Sequence, residues 1–336
     1  MAGHKPFESG PLVEQIAFAD FATHKLGEND PSASDLLAQM KDLPEDAMLL
    51  DRSQYGLLLN RSAGIDNLDG AFGLSATFEQ KDEFSLGRER SERHGVFFGQ
   101  MTVRSMVTMD APDFVAVKPH VTSREALHEI MAHNYMNGIS PYERGFVPLG
   151  IWKANGEVNF LSLFDLPVQT YDNVFWATDE QAPFITPEKI IRSLGVCTYG
   201  MGFMHGAGAT QGDAQPKNLA SDRKRVRFVD LETMRLVETR DNEIVSSSHS
   251  RNQMVRDIDT FMSTLLGRGE VDHLIVPALQ NEKVMKAALK GYSTGVTRGA
   301  RRAKLHFPPE MRLTLEEMTG FTSGAIRMEA AQNLGR

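Results

Sequence analysis

His205-Gly206-Ala207-Gly208-Ala209-Thr210-Gln211-Gly212-Asp213-Ala214-Gln215-Pro216-Lys217-Asn218-Leu219 and, after a turn, Val226-Arg227-Phe228-Val229-Asp230-Leu231-Glu232 form the stretch on which the reading turns. It sets an Asp and an Asn five residues apart on a loop, with a second Asp seventeen residues after the first, at the end of a short apolar strand. A helix precedes the loop. Thr186-Pro187-Glu188 supplies its start, with proline at the first helical position, and Ile190, Ile191, Leu194, Cys197, Thr198 and Met201 continue an apolar stripe. Taken singly, an Asp-x-x-x-x-Asn pair is common and an Asp at a strand end is often only a turn residue. Their order behind a helix is what informs.

Ninety-five residues before Asp213, Val115-Ala116-Val117-Lys118 is an apolar strand ending in a lysine. This set resembles the catalytic core of the protein-kinase-like superfamily, which includes the aminoglycoside and choline kinases. In that family the Asp and Asn form the catalytic loop and the second Asp binds metal. The lysine of a V-A-I-K strand meets the nucleotide phosphates, and a helix glutamate holds that lysine. The resemblance therefore implies an ATP- and Mg²⁺-dependent phosphotransferase acting on a hydroxyl acceptor. Asp213 would orient or deprotonate the hydroxyl, Asn218 and Asp230 would hold Mg²⁺, and Lys118 would position the phosphates. The residue types suit the chemistry: phosphoryl transfer spreads negative charge, which calls for a metal on hard oxygen ligands and one carboxylate facing the acceptor.

For the glutamate, Glu125 and Glu129 lie one turn apart on a helix read over Thr122 to Met136, and Glu129, deeper in that helix, is preferred. The phosphate-covering loop has two versions, Gly87-Arg88-Glu89-Arg90-Ser91-Glu92-Arg93-His94-Gly95 or a shorter turn around Gly95 and Gly99. Both depart from G-x-G-x-x-G, with arginines available in place of a backbone cradle. The hinge falls at Phe164-Asp165-Leu166, where Asp165 and Leu166 would offer backbone groups to an adenine edge; Pro167 has no N–H to donate.

Several positions depart from the family pattern. Gln211 stands where a histidine is usual, Glu232 replaces the glycine of D-F-G, Gln215 stands where serine/threonine kinases carry lysine, and no A-P-E follows Asp230. The last two favour a small-molecule acceptor. Three alternatives stay open: an atypical protein kinase on the same residues, a pseudokinase or nucleotide-binding scaffold, and nucleotidyl transfer.

The rest of the chain sets the frame. Its 336 residues are 41% hydrophobic and 24% charged, which excludes a disulfide miniprotein, a collagenous repeat or a disordered tail. A net charge of −8 disfavours nucleic acid as a partner. One cysteine, Cys197, allows neither an intrachain disulfide nor a thiolate zinc cage. With no apolar signal core in MAGHKPFESG and no run of about 18 apolar residues, the expectation is a soluble, cytoplasmic protein without a membrane partner.

The expected fold class is α+β, a two-lobed protein-kinase-like fold. Residues 1–83 form a partly helical extension, with a helix around Ser34 to Met40. Residues 84–165 form an antiparallel sheet with one helix, and 166–336 a mainly helical lobe. The runs at 96–98, 101–103 and 114–117 read as strands, and Ala154-Asn155-Gly156-Glu157 between two apolar runs as a hairpin turn. Met254 to Met262 reads as a helix and resembles the one that packs beneath the catalytic loop in that family, where Asp257 or Asp259 would brace the loop. Arg223-Lys224-Arg225 reads as a hairpin tip and Arg298 to Lys304 as a solvated face, the alternative for both clusters being contact with an anionic acceptor.

Two other motifs fail on geometry. His128-Glu129-Ile130-Met131-Ala132-His133 is one residue too long for H-E-x-x-H, and i, i+5 sets the imidazoles ~140° apart on a helix. Gly200-Met201-Gly202-Phe203-Met204-His205-Gly206 follows a helix instead of a strand, so it reads as a closely packed helix end and not a dinucleotide loop.

Overall fold

The computed structural model describes residues 12–21, 31–53, 75–80, 96–104, 113–140, 142–163, 169–221, 226–267 and 270–334. Two compact units divide the chain: Met1–Tyr135 with Phe146–Leu166, and Met136–Gly145 with Pro167–Arg336.

The first unit is built on an eight-stranded sheet. Its strands are β1 (Leu12–Val13), β2 (Gln15–Ala19), β3 (Ala47–Asp51), β4 (Ser75–Gln80), β5 (Phe97–Arg104) and β6 (Asp113–His120), with two later ones given below. The chain then leaves for helix α2 (Ser123–Ile139) and the short strand β7 (Arg144–Gly145), and returns as the hairpin β8 (Val147–Ala154) and β9 (Glu157–Leu163). The order is β1-β4-β5-β6-β9-β8-β3-β2, antiparallel throughout except for the parallel pair β2 and β3, between which helix α1 (Pro31–Asp42) runs. The sheet thus takes four strands from within residues 12–80, a stretch expected to be a partly helical extension, and α1 is the helix read around Ser34 to Met40.

Period-two alternation sorts the faces of β6. Val115 and Val117 join a buried cluster with Met48, Leu50, Phe78, Trp152 and Leu161, while Lys118 and His120 stand on the opposite face. The hairpin turn is the expected Asn155-Gly156, with φ of 57° and 76°; positive φ at both central residues is the two-residue turn whose twist matches the strands. Gly99 is no loop glycine: it sits inside β5, where a Cβ would lie 2.4 Å from the Glu79 carbonyl and 2.5 Å from the Phe78 ring.

In the second unit a four-stranded sheet runs β10 (Gln169–Thr170), β12 (Leu219–Ser221), β13 (Val226–Phe228) and β7, the last pair parallel. Helices α3 (Asp172–Phe175), α4 (Pro187–Gly206), α5 (Ser248–Ser263), α6 (Asp272–Gln280), α7 (Glu282–Ala303) and α8 (Leu315–Leu334) make up most of the rest. Thr186 caps α4, its Oγ1 accepting the Lys189 N–H at 3.2 Å, with Pro187 at the first position.

Helix α4 meets α7 backbone to backbone. Cβ atoms on Gly202 and Gly206 would fall 2.2 and 2.1 Å from the carbonyls of Tyr292 and Val296, and on Gly295 and Gly299 2.1 and 2.0 Å from those of Tyr199 and Phe203. The glycine run at the end of α4 is therefore a helix-packing surface. The residues after α2 are tied into this unit by the buried Glu143: Oε1 accepts from the Tyr199 hydroxyl at 2.6 Å and lies 3.3 Å from Arg298 Nε, and Oε2 accepts from Ser140 at 2.7 Å.

The chain is α+β, with a sheet and its helices first and a mainly helical unit with short strands after. Among the described residues no helix is long and apolar enough to cross a membrane.

Candidate functional site

The loop after α4 is shaped by its backbone before its side chains. Gly208 and Gly212 adopt φ of 80° and 83°, and at Gly212 a Cβ would lie 2.7 Å from the Thr233 carbonyl, so the residue before Asp213 has to be glycine. Between these two glycines runs β11 (Ala209–Thr210), paired with β14 (Arg235–Leu236). Pro216–Asn218 then forms one tight helical turn leading into β12.

That turn carries Asn218 back onto Asp213. The buried Asn218 Nδ2 donates to the Asp213 carbonyl at 2.8 Å and to its Oδ2 at 3.1 Å. Both partners are acceptors, which fixes the amide orientation and leaves Oδ1 as the atom for another ligand. The Asn218 carbonyl accepts the Val229 N–H at 3.1 Å, so the strand end that carries Asp230 is stitched to the same turn. Asp213 and Asp230 are both half-buried, and Asp230 Oδ1 accepts the Glu232 N–H at 3.3 Å.

Gln211 closes the arrangement. Its Nε2 donates to the carbonyls of Asn218 at 3.4 Å and Asp230 at 3.2 Å. Beneath it, Asp257 of α5 accepts the N–H of Gln211 at 2.7 Å and of Gly212 at 2.9 Å. Of the two acids expected to brace the loop, Asp257 does so, and Asp259 is exposed. Asp257 in turn is held by His205, whose Nε2 lies 3.1 Å from Oδ2; a carboxylate only accepts, so Nε2 carries the proton and Nδ1 accepts from the Tyr292 hydroxyl at 3.0 Å. Burial, and then the charge of Asp257, push the Tyr292 phenol well above its ordinary range, so it stays a neutral donor.

In the first unit, Lys118 and Glu129 come together. Lys118 Nζ lies 3.1 Å from Glu129 Oε1 and 3.0 Å from Oε2, with Glu129 fully buried. Burial works to raise the Glu129 pKa, but the ammonium of Lys118 and the imidazoles of His120 and His133 outweigh it and hold the carboxyl well below the ordinary range. Glu125 has a different task. It caps α2 reciprocally with Thr122: the Thr122 N–H donates to Oε2 at 3.0 Å and Thr122 Oγ1 accepts the Glu125 N–H at 3.2 Å.

Two residues at this pair escaped the reading of the sequence. His120 Nε2 lies 2.7 Å from Glu129 Oε2, and His133 Nε2 3.6 Å from Oε1. The signals were present: His120 stands two residues after Lys118 on the same strand face, and His133 four after Glu129 on the same helix face. Gly87, Gly95, Asp165, Leu166 and the cluster Arg223-Lys224-Arg225 lie outside the described residues.

No protein-family profile and no curated protein matches this chain. Among solved structures it is similar to one described as WaaP in complex with acyl carrier protein, at 14% identity over 72% of this chain and 85% of that one, with a TM-score of 0.39.

Proposed function

We propose that this protein is an ATP- and Mg²⁺-dependent phosphotransferase that moves the γ-phosphate to an acceptor hydroxyl, with a small molecule as the favoured acceptor. The observation that carries the reading is the loop geometry: Asn218 bonded to Asp213, and Gln211 bonded to the carbonyls of both Asn218 and Asp230. Those bonds gather an acceptor-facing carboxylate and two oxygen donors from separate points of the sequence.

The donor set fits a hard divalent cation. Asn218 offers Oδ1, since its nitrogen is committed to Asp213, and Asp230 offers a carboxylate oxygen. When bound, the metal supplies charge neutralisation for the transferred phosphoryl group. Asp213 accepts a hydrogen bond from the acceptor hydroxyl, orients its oxygen for attack and takes its proton. Lys118, held by the Glu129 carboxylate, serves as the phosphate ligand. The half-buried loop, Gln215 and the lack of A-P-E support a small acceptor.

Calorimetric titration with ATP, with and without Mg²⁺, tests the reading on wild type and Asp230→Ala. Metal-dependent binding that the variant loses is the expected result. A well-folded wild type that binds no ATP would overturn the proposal.

A further inference from the structure

We propose that His120 and His133 are positioning residues that hold the Glu129 carboxylate for Lys118, an inference that rests on the phosphotransferase reading of Lys118. Glu129 has no exposed surface, whereas Lys118 keeps 14% of its side chain accessible. In the proposed role Lys118 shares its ammonium between Glu129 and phosphate. A dry carboxylate whose only neighbour is shared either takes up a proton or draws that neighbour back. Both outcomes oppose phosphate binding.

The two histidines remove this conflict. His120 projects from the same face of β6 as Lys118 and reaches Oε2 at 2.7 Å. His133, one turn along α2, faces Oε1 at 3.6 Å, within ion-pair reach though longer than a hydrogen bond. Its orientation is set from behind: Nδ1 accepts the Phe146 N–H at 3.0 Å, which leaves the ring proton on Nε2, toward Glu129. The ring also stacks on Phe160 at 5.4 Å and 22°, and Phe160 is the β9 residue directly across from Lys118 in the ladder. Strand, helix and hairpin therefore converge on one carboxylate. The arrangement does not read as a metal cage, since the Lys118 ammonium already sits 3.0 and 3.1 Å from the two carboxylate oxygens.

A double-mutant cycle on Mg·ATP dissociation constants tests this, using wild type, His120→Leu, Glu129→Gln and the double variant. His120→Leu should weaken binding about tenfold with the carboxylate present, the loss of one charge-assisted contact. It should have no further effect in Glu129→Gln, where no charge remains to be held. A structural role would give the same factor in both backgrounds, and that result, or no loss in either, overturns the proposal. If His120→Leu does not fold, His133→Leu takes its place in the same cycle with the same criteria. Lys118→Met separates the two levels. If it binds Mg·ATP as tightly as wild type, the reading of Lys118 fails and this inference with it; if it binds weakly while the histidine variants do not, the inference alone fails.

Discussion

Replacing Asp257 by asparagine should loosen the loop that carries Asp213 and cost stability in the helical unit. Three donors converge on its two oxygens: the N–H of Gln211 at 2.7 Å, that of Gly212 at 2.9 Å, and His205 Nε2 at 3.1 Å. An asparagine in the same place has one acceptor oxygen and an NH₂ group that must face at least one of those donors. The residue is 2% exposed, so water does not make up the loss. One charge-assisted bond lost and one buried donor left unsatisfied sum to about 3 kcal/mol. The chain's two tryptophans make the assay specific. Trp152 lies in the sheet unit, while Trp176 lies in the helical unit, its Nε1 donating to the Thr264 carbonyl at 2.7 Å. In a Trp152→Phe background, urea unfolding followed by Trp176 emission reports the helical unit alone. The midpoint should fall with an unchanged slope. Asp259→Asn, exposed on the same helix, is the control and should stay within about 0.5 kcal/mol of its parent. A shift for Asp257→Asn no larger than the control's would refute the brace.

Two further outcomes follow from packing and charge. Gly206→Ala and Gly299→Ala place a methyl about where the carbonyls of Val296 and Phe203 stand, and should each lower stability by about 1–3 kcal/mol; Gly195→Ala, with open space at its Cβ, should raise it by up to ~1 kcal/mol, and thermal melts of the three variants decide. The depressed pKa of Glu129 means its carboxylate contributes stability that is fully present above the ordinary carboxylate value of 4.5 and is lost as pH falls through the lower folded value. The gap in urea midpoint between wild type and Glu129→Gln should therefore shrink as pH falls below 4.5; a gap that persists undiminished to pH 3 contradicts the assignment.

What the sequence disclosed was local. Asn155-Gly156 specifies its turn through positive φ, Thr186-Pro187 starts α4, and the order of Asp213, Asn218 and Asp230 is a spacing. What it withheld depended on neighbours distant in the chain. Ala47–Asp51 is buried at all five positions, so it shows no alternation and its period does not tell strand from helix. It becomes a strand because β2 and β8 flank it. Asp257 and Asp259 are about 200° apart on a helix, so only one can face the loop, and packing alone chooses which. Glu125 and Glu129 share a helix face, and what separates them is that the first meets Thr122 at the helix start while the second meets the Lys118 strand.

Gln211 stands at the centre of the loop's hydrogen bonds. A scaffold reading draws on it as a lost anchor, since the superfamily that the sequence resembles usually carries histidine there. Both atoms that its side chain serves are backbone carbonyls, of Asn218 and Asp230, and a carbonyl asks only for a donor that reaches it. A carboxamide meets that requirement as well as an imidazole does, and without any dependence on protonation. The loop backbone is secured separately, through Asp257, His205 and Tyr292. Glutamine at this position therefore ties the carbonyls of Asn218 and Asp230 together. Gln211 gives no ground for regarding the site as degenerate, and the choice between a transferase and a scaffold falls to the chemistry of Asp213 and Asp230.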